Sequence, residues 1–373
     1  MPLRRQPRSL KVATILAITD KFEMVCYGVP SAQLVYPLFH NDEFVMNFQS
    51  VFHELPSELI DEMLEIAKEH RHLARHMLVP LLTPMTRKLY LSHGIAEIHN
   101  AVVDIPIRSS GIVHLDLSYL MELSPMAIEV LISGLPHLRI LCLKKTLSVD
   151  KVFEILESSL CEMTQRTFAL AVLKSTDEDV ISPQALQLAL DTCPNITKVV
   201  LSNEGLTNPD IIRLASCGNL THLSLTIAQE GSGPITFTES VIPVLQARGH
   251  KLRDLILCHF PVIDLEQIAI NCPSLQNLAL AGTGRFTGSA SSDTESFKNL
   301  QALELWAAES EDGTEERRSL KSSEVIEILL RNCHQIRNIL INNFEDCDDT
   351  LFLRIMEVLK NRNARPHILL NEF

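Results

Sequence analysis

A chain of 373 residues that is 46% apolar but only 5% aromatic has ample material for a core, filled by leucine and isoleucine rather than by rings. Its formal charge of −13 argues against a nucleic-acid-binding surface, which needs a basic stripe, and the short cluster Arg4, Arg5, Arg8 and Lys11 reads as a solvated end. No apolar run approaches the ~18 residues of a membrane span, and the stretch Val12 to Ile18 is closed by Asp20, Lys21 and Glu23 without a convincing cleavage site, so a cytoplasmic or nuclear location is expected.

In chain order, Leu10, Thr14, Ala17 and Ile18 recur at helical spacing, which predicts a helix over residues 9–28 whose apolar face needs a partner. A region with Pro30 and Pro37 follows as loop or short elements. Leu55, Pro56, Ser57 and Glu58 then open a second helix, with Leu59, Met63, Ile66 and Ala67 on one face and Glu58, Asp61, Glu62 and Glu65 placing negative charge near its N-terminus. Helix is expected to continue or restart over 69–79, with Pro80 and Pro84 closing it. From Arg87 the pattern changes to short strands alternating with helices, which sets a domain boundary between residues 1–85 and 86–373.

The second part is organised around LQNLAL at 275–280, in which Leu275, Leu278 and Leu280 stand at relative positions 1, 4 and 6. The frame recurs as Ile112/Leu115/Leu117, Leu138/Leu141/Leu143, Ile196/Val199/Leu201, Leu220/Leu223/Leu225, Leu252/Leu255/Leu257, Leu300/Leu303/Leu305 and Ile336/Ile339/Ile341. A degenerate copy fits Phe168/Ala171/Leu173, and weaker ones fit Thr86/Leu89/Leu91 and the neighbourhood of Pro366 and Leu369. The starts lie roughly 23 to 36 residues apart, a spacing at or slightly above that of leucine-rich repeats. Helical runs follow the strands and open at capping residues: Ser124 with Pro125, Ser148, Ser182 with Pro183, Asn208 with Pro209, and Ser322 or Ser323. Strand plus helix in so short a unit implies parallel pairing through crossover helices, hence an α/β solenoid with strands on a concave side and helices on a convex one.

Nine cysteines include no CxxC pair. Cys193, Cys217, Cys272 and Cys333 each precede the first apolar residue of a frame by three positions, where Leu135 stands before Leu138. A position that accepts leucine or cysteine is a buried slot for a small hydrophobe, which fits a reducing compartment. Two inserts, Ala281 to Glu295 and Ala307 to Leu320, are rich in small polar and in charged residues and read as surface loops.

No nucleotide-cradling, nucleophile-elbow or zinc-binding motif is present, and GTGRFTG at 282–288 lacks both the lysine and the following helix of a phosphate loop. His72 and His76 share a helix face with Glu69, but Leu73 stands where a metalloprotease helix carries its base, so a solvated helix surface is the reading. No cofactor, metal or catalytic group is expected. Binding remains: the residues between the buried apolar positions form two outward rows. Cys142, Val172, Val200 and Ile256 are expected to make an apolar strip for a target protein in the middle of the second row.

The segments CPNITKVVL, CPSLQNLAL and CHQIRNILI resemble the cysteine-containing leucine-rich repeats of F-box proteins and related ubiquitin-ligase receptors. LPSELIDEML at 55–64 resembles the opening of an F-box, which would set Leu55, Pro56, Leu59 and Leu64 on a Skp-type adaptor; the later tryptophan-containing turn is absent, the one tryptophan being Trp306. The same residues fit a cullin-2 box through Leu55, Pro56, Leu59 and Met63. Upstream, SLKVATILAI at 9–18 resembles an Elongin-binding box through Ser9, Leu10 and Ile18, with Thr14 where that motif prefers cysteine. The resemblance implies a non-catalytic substrate receptor of a cullin-RING ligase, with Elongin C or a Skp-type adaptor at the N-terminal helices and a protein substrate on the repeats. The other reading of residues 1–85 is a cap for the first repeat, and of the whole a repeat scaffold or inhibitor without a ligase.

Overall fold

The computed structural model describes residues 10–70, 73–91, 98–120, 123–143, 148, 150–155, 168–174, 180–203, 205–227, 235–283, 285–288, 297–307, 325, 329, 330, 333, 335–342, 353, 355–357 and 367–371. Its contacts divide the chain into two compact units, Met1–Leu170 and Ala171–Phe373.

The first unit begins with helices. α1 (Leu10–Asp20) and α2 (Phe22–Tyr27) split at Lys21 what the spacing predicts as one helix, and Gly28 ends α2 in the left-handed conformation (φ 69°) that glycine adopts without strain. α3 (Asp42–Asn47) is capped by Asn41, whose side chain accepts from the Glu43 and Phe44 amides. α4 (Ser57–His70) follows Pro56 as expected and buries Ile60, Met63, Leu64 and Ala67, one helical face. α5 (Arg75–Leu81) is buried along its whole length and contains Pro80, which the sequence reading takes as a stop. Val35, Phe39, Val45 and Val79 form a core here, with Tyr27, Phe44 and Phe48 packed against it.

Two polar groups are locked into this region. The buried Arg75 guanidinium donates to Asp104 at 2.9 and 3.2 Å, to Asp42 at 2.9 Å and to the Phe39 carbonyl at 2.7 Å. His76 is 4% exposed, lies 3.5 Å from the buried Glu23 carboxylate and packs beside Tyr36 and Phe39. This corrects the solvated reading for His76, which α5 carries into the interior; Glu69, on α4, is exposed as expected. His72 lies outside the described residues.

Strands begin at β1 (Lys88–Tyr90), joined in parallel to β2 (His114–Asp116) and β3 (Ile140–Cys142). α6 (Ile98–Arg108) connects the first two strands, and α7 (Pro125–Gly134) the second and third. The frame residues Leu89, Leu115 and Leu141 pair in register, the first two fully buried. Ser124 caps α7 by accepting from the Ala127 amide, and Ser148 accepts from that of Lys151.

The second unit is one eight-stranded parallel sheet, in the order β13-β12-β11-β9-β7-β6-β5-β4. The strands are β4 (Val172–Lys174), β5 (Lys198–Asn203), β6 (His222–Ile227), β7 (Asp254–Cys258), β9 (Asn277–Thr283), β11 (Ala302–Ala307), β12 (Asn338–Asn342) and β13 (His367–Asn371). Two further strands, β8 (Val262–Asp264) and β10 (Arg285–Thr287), pair beside it. Leu223, Leu255, Leu278, Leu303 and Ile339 align across the sheet, as do Leu225, Leu257, Leu280, Leu305 and Ile341, and all ten are buried. Helices cross over between strands, with Ser182 accepting from the Ala185 amide and Asp264 from those of Glu266 and Gln267. The cap before Asn208–Ile212 is Thr207, one residue earlier than expected, its amide donating to Asp210 at 2.9 Å.

The repeat cysteines occupy the slot read from the sequence: Cys193, Cys217, Cys272 and Cys333 are buried, as is Leu135. Burial pushes the thiols of Cys193 and Cys217 up to about 11 and that of Cys272 up to about 12.

Two expectations change. The 281–295 insert is not loop at its start: β9 runs to Thr283, and β10 alternates exposed Arg285 with buried Phe286, a strand pattern short enough to be hidden among glycines. Residues 289–295 and 308–320 lie outside the described residues. The fourth frame is displaced: β4 pairs Val172 with Lys198, Leu173 with Val199 and Lys174 with Val200, so the buried frame is Leu170 and Leu173 rather than Phe168, Ala171 and Leu173. A two-residue shift keeps every side chain on its face, which is why alternation alone does not expose the error.

Candidate functional site

Three surfaces carry the residues singled out in the sequence: the N-terminal helices and the sheet of the first unit, and the sheet of the second. On α1 the buried side chains are Ile15 and Thr19, followed by Phe22 in α2, while Lys11 pairs with Glu62 of α4 at 2.6 Å. The opposite side holds Leu10, 85% exposed, Thr14, whose hydroxyl donates to the Leu10 carbonyl at 2.9 Å, and exposed Ala17; Ile18 lies at the margin. Apolar and polar residues are not segregated to opposite sides of α1, so the spacing finds the helix but does not say which side it buries.

At the start of α4, Leu55 and Leu59 are half-buried and Pro56 is exposed, with the Leu59 and Ile60 amides donating to the Pro56 carbonyl. Met63 is 2% exposed and belongs to the core, so it offers no surface to a partner: its i+4 spacing from Leu59 turns it inward with Ile60 and Leu64. α4 reaches the first strand through Asp61, which accepts from the Lys88 amide at 3.3 Å, and through Lys68, which lies over the Tyr90 ring.

On the sheet of the first unit, the open face carries Tyr90, His114, Asp116 and Cys142. The Tyr90 hydroxyl and the Cys142 thiol flank the two ring nitrogens of His114 at 3.3 and 4.0 Å. Burial, opposed by the Asp116 carboxylate, pulls the His114 imidazole below its ordinary range. Cys142 therefore stands in a polar and aromatic setting.

On the sheet of the second unit, the first outward row reads Val172, Lys198, His222, Asp254, Asn277, Ala302 and Asn338. Its middle is a hydrogen-bonded ladder: Thr221 and His222 Nδ1 lie 2.7 Å apart, His222 Nε2 meets Asp254 at 2.7 Å, and the Asn277 amide donates to the other Asp254 oxygen. The second row reads Lys174, Val200, Ser224, Ile256, Ala279, Glu304 and Leu340. The expected apolar strip is thus broken. Val172 moves to the first row, Lys174 takes its place beside Val200, Ser224 separates Val200 from Ile256, and Cys142 belongs to the other sheet. Ile256 remains 38% exposed.

The third row, Ser202, Thr226, Cys258, Ala281, Trp306 and Asn342, escapes a reading built on the six-residue frame because it lies just beyond it. Trp306 is half-buried, and its indole N–H donates to Glu304 at 2.6 Å. Burial, opposed by a hydrogen bond with Thr226 and reinforced by Glu304, pushes the Cys258 thiol up.

No group of three or more metal-ligating side chains stands together among the described residues, and no helix among them is long and apolar enough to cross a membrane.

The arrangement is that of a leucine-rich-repeat solenoid preceded by helices. No protein-family model matches the sequence, and no curated protein matches it closely enough to count as a relative. Among solved structures it is similar to Rad7 in its yeast complex with Elc1, with a TM-score of 0.53 and 18% identity over 94% of this chain and 85% of that one. It is also similar to TLR13 in complex with ssRNA13, with a TM-score of 0.39 and 15% identity over 76% of this chain and 39% of that one. At such identities the first likeness establishes the shared fold.

Proposed function

We propose that this chain is a non-catalytic substrate-recognition subunit of a cullin-RING ubiquitin ligase. Its adaptor, Elongin C or a Skp-type protein, docks on the outer side of α1 through Leu10, Thr14 and Ile18 and on the start of α4 through Leu55, Pro56 and Leu59. Its target lies on the open face of the repeats, where Val200 and Ile256 remain apolar.

The observation that carries the reading is the exposure of Leu10 and Thr14. α1 secures itself with Ile15 and Thr19 and leaves Leu10, Thr14 and Ala17, spaced i, i+4 and i+7, together on one exposed side, an arrangement that suits a partner groove. A short helix presenting a few apolar anchors is the helix-in-groove mode of recognition. The solved neighbour Rad7 also forms a complex with a second protein, Elc1, which supports a partner for this chain without naming it.

The test is capture from cell extract by the intact chain and by the double variant Leu10→Asp, Leu55→Asp, probed for Elongin C and for the Skp-type adaptor. Placing carboxylates in an apolar groove abolishes a true contact. Capture of one adaptor, lost in a variant that keeps its circular dichroism, supports the receptor and selects the adaptor. Capture of neither by the folded parent overturns the reading in favour of a repeat scaffold.

A further inference from the structure

Charge is unevenly placed on the open face of the second sheet. Lys174 of β4 and Lys198 of β5 are both exposed, and neither makes an ion pair among the described residues. Register sets Lys174 opposite Val200 and Lys198 opposite Val172. Lys198 and Val200 are two residues apart on one strand, so both lysines rise on the same side, each next to Val200. One strand spacing and two residues of rise put their Cα atoms about 8 Å apart, near enough for like charges to repel. The row brings them no counter-charge. Its carboxylate, Asp254, meets His222 Nε2 at 2.7 Å with one oxygen and the Asn277 amide with the other, and His222 stands between it and Lys198. Two exposed cations thus flank an apolar residue in a chain whose formal charge is −13. In the same row Ser224 follows Val200, and then comes Ile256, 38% exposed and two strands, about 10 Å, from Val200.

What completes such a face is a carboxylate set between the two ammonium groups and carried beside apolar side chains that cover Val200 and Ile256. An acidic segment of protein supplies both at once. A nucleic-acid strand brings charge without aliphatic cover and is repelled by the net charge of the chain. A purely apolar segment covers the valine and isoleucine but leaves the lysines facing each other. We propose that Lys174 and Lys198, with Val200 and Ile256, dock a segment of the target protein in which Asp or Glu stands beside aliphatic or aromatic residues. This inference rests on the target-binding half of the proposed function and names the chemistry of the target. The adaptor surface on α1 takes no part in it.

The test is selection by the intact chain from a randomised peptide library displayed on phage, repeated with the double variant Lys174→Glu, Lys198→Glu and with Ile256→Ser, each of unchanged circular dichroism. The parent is expected to enrich peptides that carry Asp or Glu beside Leu, Ile or Phe, and to release them as salt is raised. The charge-reversed variant should bind a selected peptide about tenfold more weakly and enrich Lys and Arg instead. Enrichment of neutral or basic peptides by the parent, no enrichment, or acidic peptides held equally by the charge-reversed variant would each overturn the assignment. So would acidic peptides selected only after Asp177→Asn, Glu178→Gln, Asp179→Asn, because the lysines would then serve the chain's own acidic run. Peptides weakened by Ile256→Ser but not by charge reversal remove the acidic preference and leave the open face as the target surface. Peptides indifferent to both variants remove the target surface itself.

Discussion

Arg75 joins three parts of the first unit through one buried guanidinium: α6 at Asp104, α3 at Asp42, and the Phe39 carbonyl. Arg75→Ala strands a buried carboxylate and should cost about 3–5 kcal/mol in urea unfolding, with Arg75→Met, Asp104→Leu recovering much of it. Nothing in the sequence pairs Arg75 with Asp104, because partners 29 residues apart meet only after α5 and α6 pack. The His222–Asp254–Asn277 ladder is legible only in part: the row is readable from period two, the bonds only from the register of three strands. His114 yields a pH prediction. Its imidazole titrates below its ordinary value near 6.5 because it is buried, so the folded state holds fewer protons there than the unfolded one. That contribution to stability is present above about pH 6.5 and is lost as pH falls through the lowered value. Thermal midpoints between pH 7.5 and 5 should therefore fall less steeply in His114→Gln than in the parent.

At the scale of elements, α1 separates attachment from presentation. Ile15→Asp places charge at a buried contact and should lower the melting temperature by several degrees, while Leu10→Asp, at an exposed position, should stay within about 0.5 kcal/mol of the parent. Equal losses in the two variants would show that both sides of α1 are held by the fold. β4 offers a second test. Because Val172 lies opposite Lys198, Val172→Asp should form a cross-strand pair and leave stability unchanged or raise it by about 0.2–1 kcal/mol. The register read from the Phe168 frame places it beside Val200, where a charge would be unpaired, and a clear loss of stability would restore that reading. The strong frames are legible because two leucines and a capping residue recur together. The fourth frame is not, since Phe168 and Ala171 imitate Leu170 and Leu173 at the same parity.

Across the whole molecule, the adaptor residues and the open face of the eight-stranded sheet belong to different compact units. The two proposed roles should be separable: Leu10→Asp should abolish adaptor capture and leave target capture by the sheet intact, and Val200→Asp should do the reverse. Parallel measurement of both on the two full-length variants checks this, and a single substitution that removes both without unfolding would show the activities to be coupled. The repeat class is readable over much of the chain because every unit rewrites the same frame. The functional surfaces are less so, since exposure depends on what each residue packs against.

The cysteine slot has a consequence for motion. Cys193, Cys217, Cys272 and Cys333 place one concealed thiol at each of four points along the sheet, before β5, β6, β9 and β12. While a repeat is closed its sulfur cannot meet a disulfide reagent. When the repeat opens, the sulfur is consumed at a rate set by how often that opening occurs. A stack of repeats is a one-dimensional lattice in which disorder enters at an end or nucleates within. The order in which the four sulfurs disappear would therefore trace the path by which this protein comes apart, with no foreign label added to it.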